Sequence, residues 1–354
     1  MTASGVRAVP ATGSTLDRVV DARVGRASGR RRIIVMLTAL IVVMVVVSLM
    51  VGQTFYPISD VVRVIFGQDV PGASFTVGRL RLPRVALAVV AGLSFGMAGV
   101  AFQTMLRNPL ASPDIIGISA GASAAAAFAI VILGLSGTAV SLFAIVTGLA
   151  VALVIYLLAF KSGGGGTRLI LIGIGIAAML DSVTAYVISR AGQWDLQETL
   201  RWLTGSLNGT SWQQVAPTLL ALLVLGPVLL GQSRNLASLQ LGDDTASALG
   251  VRVERSRLTV LVSAVGLIAF ATAAAGPIAF VAFLSGPIAA RIVGPRGSLL
   301  VPAALVGAAL VLVADLCGQY AFGTRYPVGV VTGVLGAPYL VYLIVRTNRV
   351  GGSI

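Results

Sequence analysis

Apolar stretches of about twenty residues recur from Ile33 to Val345, separated by short polar or glycine-rich breaks. A bilayer core about 30 Å thick needs about 20 apolar residues per helical crossing. Of the 354 residues, 57% are hydrophobic and only 10% charged, so the chain has no soluble core to build. It reads as an all-α, polytopic membrane protein.

The net charge of +13, with 12 acidic residues, would suit nucleic acid only if the basic residues formed a patch on a soluble face. They flank apolar runs instead, the pattern of the positive-inside rule. Cys317 is the single cysteine, so no intramolecular disulfide or CxxC metal site can form. The chain has no histidine, which removes the commonest general base and metal ligand together. No metal site and no cofactor within this chain are expected.

Residues 1–32 are rich in Ser, Gly, Ala and Arg, without apolar periodicity, and read as a disordered basic cytoplasmic tail. Arg30, Arg31 and Arg32 resemble a twin-arginine signal. The apolar run from Ile33 to Val51 is long for a signal peptide, however, and many spans follow, so a retained first helix is expected.

Ten spans are expected, at about 33–51, 84–105, 114–133, 138–160, 168–189, 212–231, 256–272, 278–293, 299–317 and 328–346. The third and eighth are Ala/Gly-rich and lie close to their neighbours. An even count puts both termini on one side. With that side cytoplasmic, inner segments hold about 18 of the 25 Lys and Arg residues, the orientation the positive-inside rule favours. Trp194, Trp202 and Trp212 cluster around one outer loop, at the depth of an aromatic belt.

Two connections are too long and polar to be simple turns. The outer one, Gly52 to Pro83, leads into Arg79, Arg81 and Arg84. In the inner one, Gln232 to Arg257, Leu236, Leu239, Ala246 and Leu249 suit one or two short helices with an apolar face. Such a face on an inner loop must meet lipid headgroups or another protein.

Several motifs suggest chemistry the chain cannot support. Gly117-Ile-Ser119-Ala-Gly121 matches the GxSxG nucleophile elbow, but a Ser hydrolase needs a base and no histidine exists. Close helix packing by small residues explains it better, as it does the pairs Gly92/Gly96 and Gly329/Gly333. Gly163 to Gly166 followed by Thr167 and Arg168 lacks the Gly-Lys-Ser/Thr ending of a phosphate-binding loop, so nucleotide chemistry belongs to a separate subunit. Asp181 and Asp315 lie within spans, where a carboxylate costs at least about 2.5–3.5 kcal/mol unless paired or hydrated. They suit either an ion relay or a hydrogen-bonded structural group; no Lys or Arg partner within the spans is evident, and the structural reading is favoured.

Six stretches together resemble the iron–siderophore/cobalamin permease family of ABC importers, the membrane subunits of type II importers. They are Arg81-Leu-Pro-Arg84, Met105-Leu-Arg-Asn-Pro-Leu-Ala-Ser-Pro113, Gly117-Ile-Ser-Ala-Gly121, Leu241-Gly-Asp-Asp-Thr-Ala-Ser-Ala-Leu-Gly250, Gly276-Pro-Ile-Ala-Phe280, and Pro327-Val-Gly-Val-Val331 with Gly336-Ala-Pro338. The resemblance runs from about residue 33 to the end and implies a cobalamin-importer-like permease domain over 33–348. It implies a homodimer or paralogue heterodimer, and two ATPase subunits that carry ATP and Mg and grip the 236–250 coupling segment through Leu239, Gly242, Asp243, Ala246, Leu249 and Gly250. An extracytoplasmic siderophore-binding protein would dock through its carboxylates on Arg81 and Arg84, for which anchoring to lipid phosphates is the alternative. Where the family has a third outer arginine after Asp315, this chain has Gln319, and Arg325 would take its place. Thr167 matches a position that narrows the cytoplasmic exit. After Gly276-Pro277 the family's Pro-His is here Pro287-Ile288, with Arg291 following.

The function so implied is translocation of ferric siderophore across the bacterial plasma membrane by a transport subunit that is not itself an enzyme. Cobalamin or heme is the alternative cargo. An ion-coupled secondary transporter using Asp181 or Asp315 is the alternative of a different class.

Overall fold

Ten apolar helices make up the framework in the computed structural model, which describes residues 15–112, 117–160, 166–294 and 297–351. Side-chain surroundings are described from 28 to 345, apart from 113–116, 160–167, 295–296, 343 and 344. The helices are α1 (Thr15–Met50), α2 (Leu82–Met105), α3 (Ile118–Val131), α4 (Thr138–Phe160), α5 (Gly166–Ser189), α6 (Trp212–Gly231), α7 (Val253–Ala275), α8 (Val281–Val293), α9 (Leu300–Tyr320) and α10 (Val328–Gly351). Each coincides with an expected span, and no strand occurs among the described residues. α3 and α8 have only 14 and 13 residues, about 20 Å of helix and short of a full crossing. Each is entered through a left-handed residue, Gly117 at φ 87° and Phe280 at φ 64°. A non-glycine residue there is strained.

The first helix departs from expectation. It begins at Thr15, so residues 15–32 are continuous with the first span rather than part of a disordered tail. Between Pro10 and Pro57 no proline interrupts the chain, and the Ala and Arg residues of 15–32 are good helix formers. Residues 1–14 lie outside the described residues.

α2 is the hub, packing on α6, α7, α8 and α9. The α2–α9 contact is glycine-mediated: a Cβ on Gly92 would lie 2.5 Å from Ala308 Cα, and one on Gly307 would lie 2.2 Å from the Gly92 carbonyl oxygen. Backbones this close leave no room for a side chain, so association rests on van der Waals contact, as lipid requires. On α3, a Cβ on Gly121 would lie 2.9 Å from the Val151 side chain of α4, so this glycine also lets two helices approach. The structure thus gives the Gly117–Gly121 motif a packing role. Gly329 also presses on a backbone, the Thr204 carbonyl, but Gly333 faces open space and is not a contact.

Pro287 sits inside α8 and has no N–H to offer the carbonyl of Phe283, four residues earlier. The Gln103 side-chain amide of α2 donates to that carbonyl at 2.9 Å, so the group is satisfied inside the bundle. The periphery is different. α5 exposes Leu171, Ile174, Met179, Val183 and Tyr186, and α10 exposes Val334, Leu335 and Val341.

Candidate functional site

Polar residues gather at the two ends of the bundle. At the end where α2 begins, the chain from α1 runs through a short helix (Ile58–Ile65) and a π-helical turn (Thr76–Arg81) straight into α2. This places Arg81 against the last turn of α1. Its guanidinium donates to the carbonyls of Leu49, Met50 and Thr54 at 2.8, 3.0 and 2.6 Å and lies over the Tyr56 ring. Carbonyls at a helix C-terminus lack intrahelical partners, and a cation there also suits the helix dipole. A Cβ on Gly52 would fall 2.1 Å from the Arg81 guanidinium, so a larger residue there would have to displace that side chain.

One turn further, Arg84 grips Asp315 of α9 through two donors, Nε to Oδ2 at 3.0 Å and Nη2 to Oδ1 at 2.7 Å. Its Nη1 donates to Asn208 Oδ1 at 2.5 Å, and Gln319 donates to the same carboxylate at 2.8 Å. The Asp315 side chain is 5% exposed and that of Arg84 is 18% exposed. Two expectations change. Asp315 does have an arginine partner, 231 positions away in sequence, and both Arg81 and Arg84 are turned onto acceptors of their own chain rather than presented outward. The tight α2–α9 packing brings the pair together, and the paired carboxylate satisfies the requirement that an ionisable group within a span find a partner. Gln319, where a third arginine was expected, completes the Asp315 shell. Arg325 is exposed on the α9–α10 loop.

At the opposite end, α2 stops at Arg107, whose φ of 52° turns the chain out of the helix. Arg107 donates to the Leu239 carbonyl at 2.7 Å and pairs with Asp243. Arg257 of α7 reaches the other oxygen of Asp243 at 2.7 Å. The expected coupling segment therefore consists of two short helices, Ser233–Leu239 and Asp243–Ala248, hinged at Gly242 and pinned by two arginines. Gly242 lies at φ 113° and ψ 153°, a conformation open essentially to glycine alone.

The apolar face expected to meet a partner is redistributed. Leu236, Leu239 and Ala246 are buried in the chain's own core, whereas Leu241 and Leu249 are 64% and 62% exposed. Leu236 and Leu239 seal the segment against the bundle, and Leu241, Asp244, Leu249 and Gly250 form its outer surface. Thr167 falls in the first turn of α5, but its side chain lies outside the described residues. Asp181, midway along α5, is exposed and has no hydrogen-bond partner among the described residues. It is therefore not the internally bonded group that the sequence favoured. Among the described residues no group of three or more metal-ligating side chains exists.

Comparison with known proteins places the chain among transport permeases. The ferric enterobactin transport system permease FepG of Escherichia coli K12 is 40% identical over 301 residues, covering 84% of this chain and 91% of that protein. The achromobactin transport system permease CbrC of Dickeya dadantii is 36% identical, covering 94% and 98%. The cobalamin import permease BtuC of Halobacterium salinarum is 34% identical, covering 77% and 74%. Among solved structures, an inward-facing metal-chelate type ABC transporter superposes with a TM-score of 0.80 at 27% identity, covering 89% of this chain and 99% of that one. The model of the FecCD transport family matches residues 40–346, and the chain belongs to that family, as a multi-pass membrane protein of the inner membrane.

Proposed function

We propose that this chain is the permease subunit of an ATP-binding-cassette importer that carries ferric siderophore into the cytoplasm. The observation that carries the reading is the 40% identity to a ferric enterobactin permease over 91% of that protein's length, supported by the achromobactin relative. The end bearing Asp243 is then cytoplasmic, as are both termini. The exposed Leu241–Gly250 surface would seat the ATPase subunits that hold ATP and Mg, with Asp243 fixing its angle. The exposed apolar face of α5, together with that of α10, would meet a second permease and border the cargo path. Asp181 would then face hydrated space, the setting that a carboxylate within a span requires. Thr167, in the first turn of α5, would narrow the exit.

The opposite end would receive the extracytoplasmic binding protein. Arg325 is the member of the expected docking set free to meet its carboxylates, while Arg81 and Arg84 shape the platform beneath. An incoming carboxylate could engage Arg84 only by displacing Asp315. That same pairing supports a structural role for Asp315 over the secondary-transport alternative.

The test is deletion of the gene, followed by uptake of radiolabelled iron presented as ferric siderophore, with labelled cobalamin and heme in parallel. Loss of iron uptake alone, restored by the gene, is the expected result. Intact iron uptake with lost cobalamin or heme uptake would overturn the cargo assignment.

A further inference from the structure

At the Arg84 end, α7 packs on both α4 and α6, and the seam among the three is not filled by protein. A cavity of about 270 Å³ opens there, lined by Glu198, Arg201, Trp202, Asn208 and Gln214 among others. A second, of about 200 Å³, shares Ser141, Gln214, Ala273 and Ala274 with it and continues along the seam against Leu142, Ile145, Pro217 and Phe270. A third, of about 100 Å³, follows the same α4–α7 line deeper, between Leu149, Leu153 and Tyr156 on one side and Leu258, Leu261 and Val265 on the other. The first two cavities form one seam, polar at its end and apolar beyond it, and the third is a separate apolar pocket further along the α4–α7 interface.

The polar end offers both signs of charge separately. Glu198 and Arg201 are three residues apart on the helix Gln193–Leu203, and so share a face. Arg201 spends one N–H on the Asn208 carbonyl at 2.6 Å, which leaves most of its five donors. Glu198 has no partner among the described residues. Trp202 lines the cavity and Trp212 opens α6 beside it, the residue type that settles at the headgroup level of a bilayer. The helices bordering the groove are apolar on their outer faces as well, with Leu142 62% exposed and Leu220 63% exposed.

We propose that this seam is a binding site for one phospholipid whose headgroup carries both a phosphate and an ammonium. The phosphate meets Arg201, the ammonium meets Glu198, and an acyl chain lies in the groove past Ile145 and Phe270. An ammonium-free anionic lipid would leave Glu198 facing a like charge. A soluble polar solute would leave the groove empty. The lipid would brace the helix Gln193–Leu203, which carries the Asn208 contact to Arg84 within a few residues of its end.

The test uses the full transporter, this chain with its ATPase subunits, equilibrated in nanodiscs of equal phosphatidylethanolamine and phosphatidylglycerol. After transfer to detergent, the retained lipids are identified by native mass spectrometry. The wild type is expected to retain phosphatidylethanolamine in preference to phosphatidylglycerol. Glu198→Gln is expected to cut that preference about tenfold, the scale of one charge-assisted hydrogen bond, without changing subunit assembly or thermal unfolding. Ile145→Trp, which fills the groove, is expected to lose retention of both lipids. Retention without headgroup preference, a preference unchanged in Glu198→Gln, or binding indifferent to Ile145→Trp would each overturn the proposal. None of these readouts depends on which cargo the transporter carries.

Discussion

The two ends of α2 are each tied down by arginine, yet the two ties are of different kinds. Arg84 is held with Asp315 where the side chains are 18% and 5% exposed. Arg107 and Arg257 share Asp243 where the exposures are 39%, 22% and 43%. A buried pair gains strong attraction but carries a large desolvation cost, so its value lies in geometry, and breaking it strands a charge. An exposed pair costs little to make and little to break. The first tie locks the α2–α9 core at one end of the bundle. The second holds the segment of the two short helices Ser233–Leu239 and Asp243–Ala248 against α2 and α7 at the other end.

Breaking the buried tie is therefore expected to have the largest effect. Asp315→Ala leaves Arg84 unpaired and is expected to destabilise the protein by about 3–5 kcal/mol, read as a fall in the thermal unfolding midpoint in detergent. The double variant with Arg84→Met is expected to recover much of that loss, since the charge goes with its partner. A double variant no better than Asp315→Ala would show that the cluster acts through packing and not through charge.

Next in size is the hinge of the exposed tie. Gly242→Val forces a β-branched residue to φ 113°, a strain of about 1–3 kcal/mol. A Cβ meets nothing closer than Thr245 at 3.8 Å, so the effect is conformational and not steric. The two coupling helices are expected to lose their relative angle, and co-purification of ATPase subunits is expected to fall while membrane insertion is retained. Undiminished co-purification would separate the hinge from coupling.

How far the sequence carries varies with the range of the interaction. All ten helices are legible because span length and apolarity are local and set by the bilayer. The short third and eighth helices are also visible, as Ala/Gly-rich segments crowded by their neighbours. The helix over residues 15–32 is not, because an Arg-rich stretch without apolar periodicity looks the same whether it is helical or coiled. The Arg84–Asp315 pair is a contact across 231 positions and depends on α2 and α9 packing backbone to backbone. A usable signal did exist: an aspartate within one span, and an arginine at the mouth of another, each needing a partner. The coupling segment shows the converse limit. Its leucine spacing reveals that an apolar face exists, but not that Leu236 and Leu239 turn inward while Leu241 and Leu249 turn outward. That choice is made by the core they dock against.

Weakening the exposed tie directly is expected to cost little stability. Asp243→Asn removes charge from a pair of bridges worth about 0–1 kcal/mol each, so the unfolding midpoint is expected to move only slightly, and less still at high salt. The measurement that matters is ATP-driven uptake in proteoliposomes. Uptake is expected to fall while ATPase association persists, because the segment remains present but is no longer held at a fixed angle to α2 and α7. A large loss of stability would instead place Asp243 with Asp315, and the contrast between the two ends would fail.

The smallest effect on the isolated protein is expected at Leu249, which is 62% exposed and has nothing to lose in the fold. Leu249→Glu is expected to shift stability by no more than about 0.5 kcal/mol, as exposed substitutions do. With the ATPase seated on that surface as proposed, the same change would bury a carboxylate without a partner, and ATPase association is expected to weaken about tenfold or more. Titration of the ATPase subunit onto the permease in nanodiscs checks it. Equal affinity for wild type and variant would move the docking surface away from Leu241–Gly250, and leave the two arginines at Asp243 holding a segment that only closes the fold.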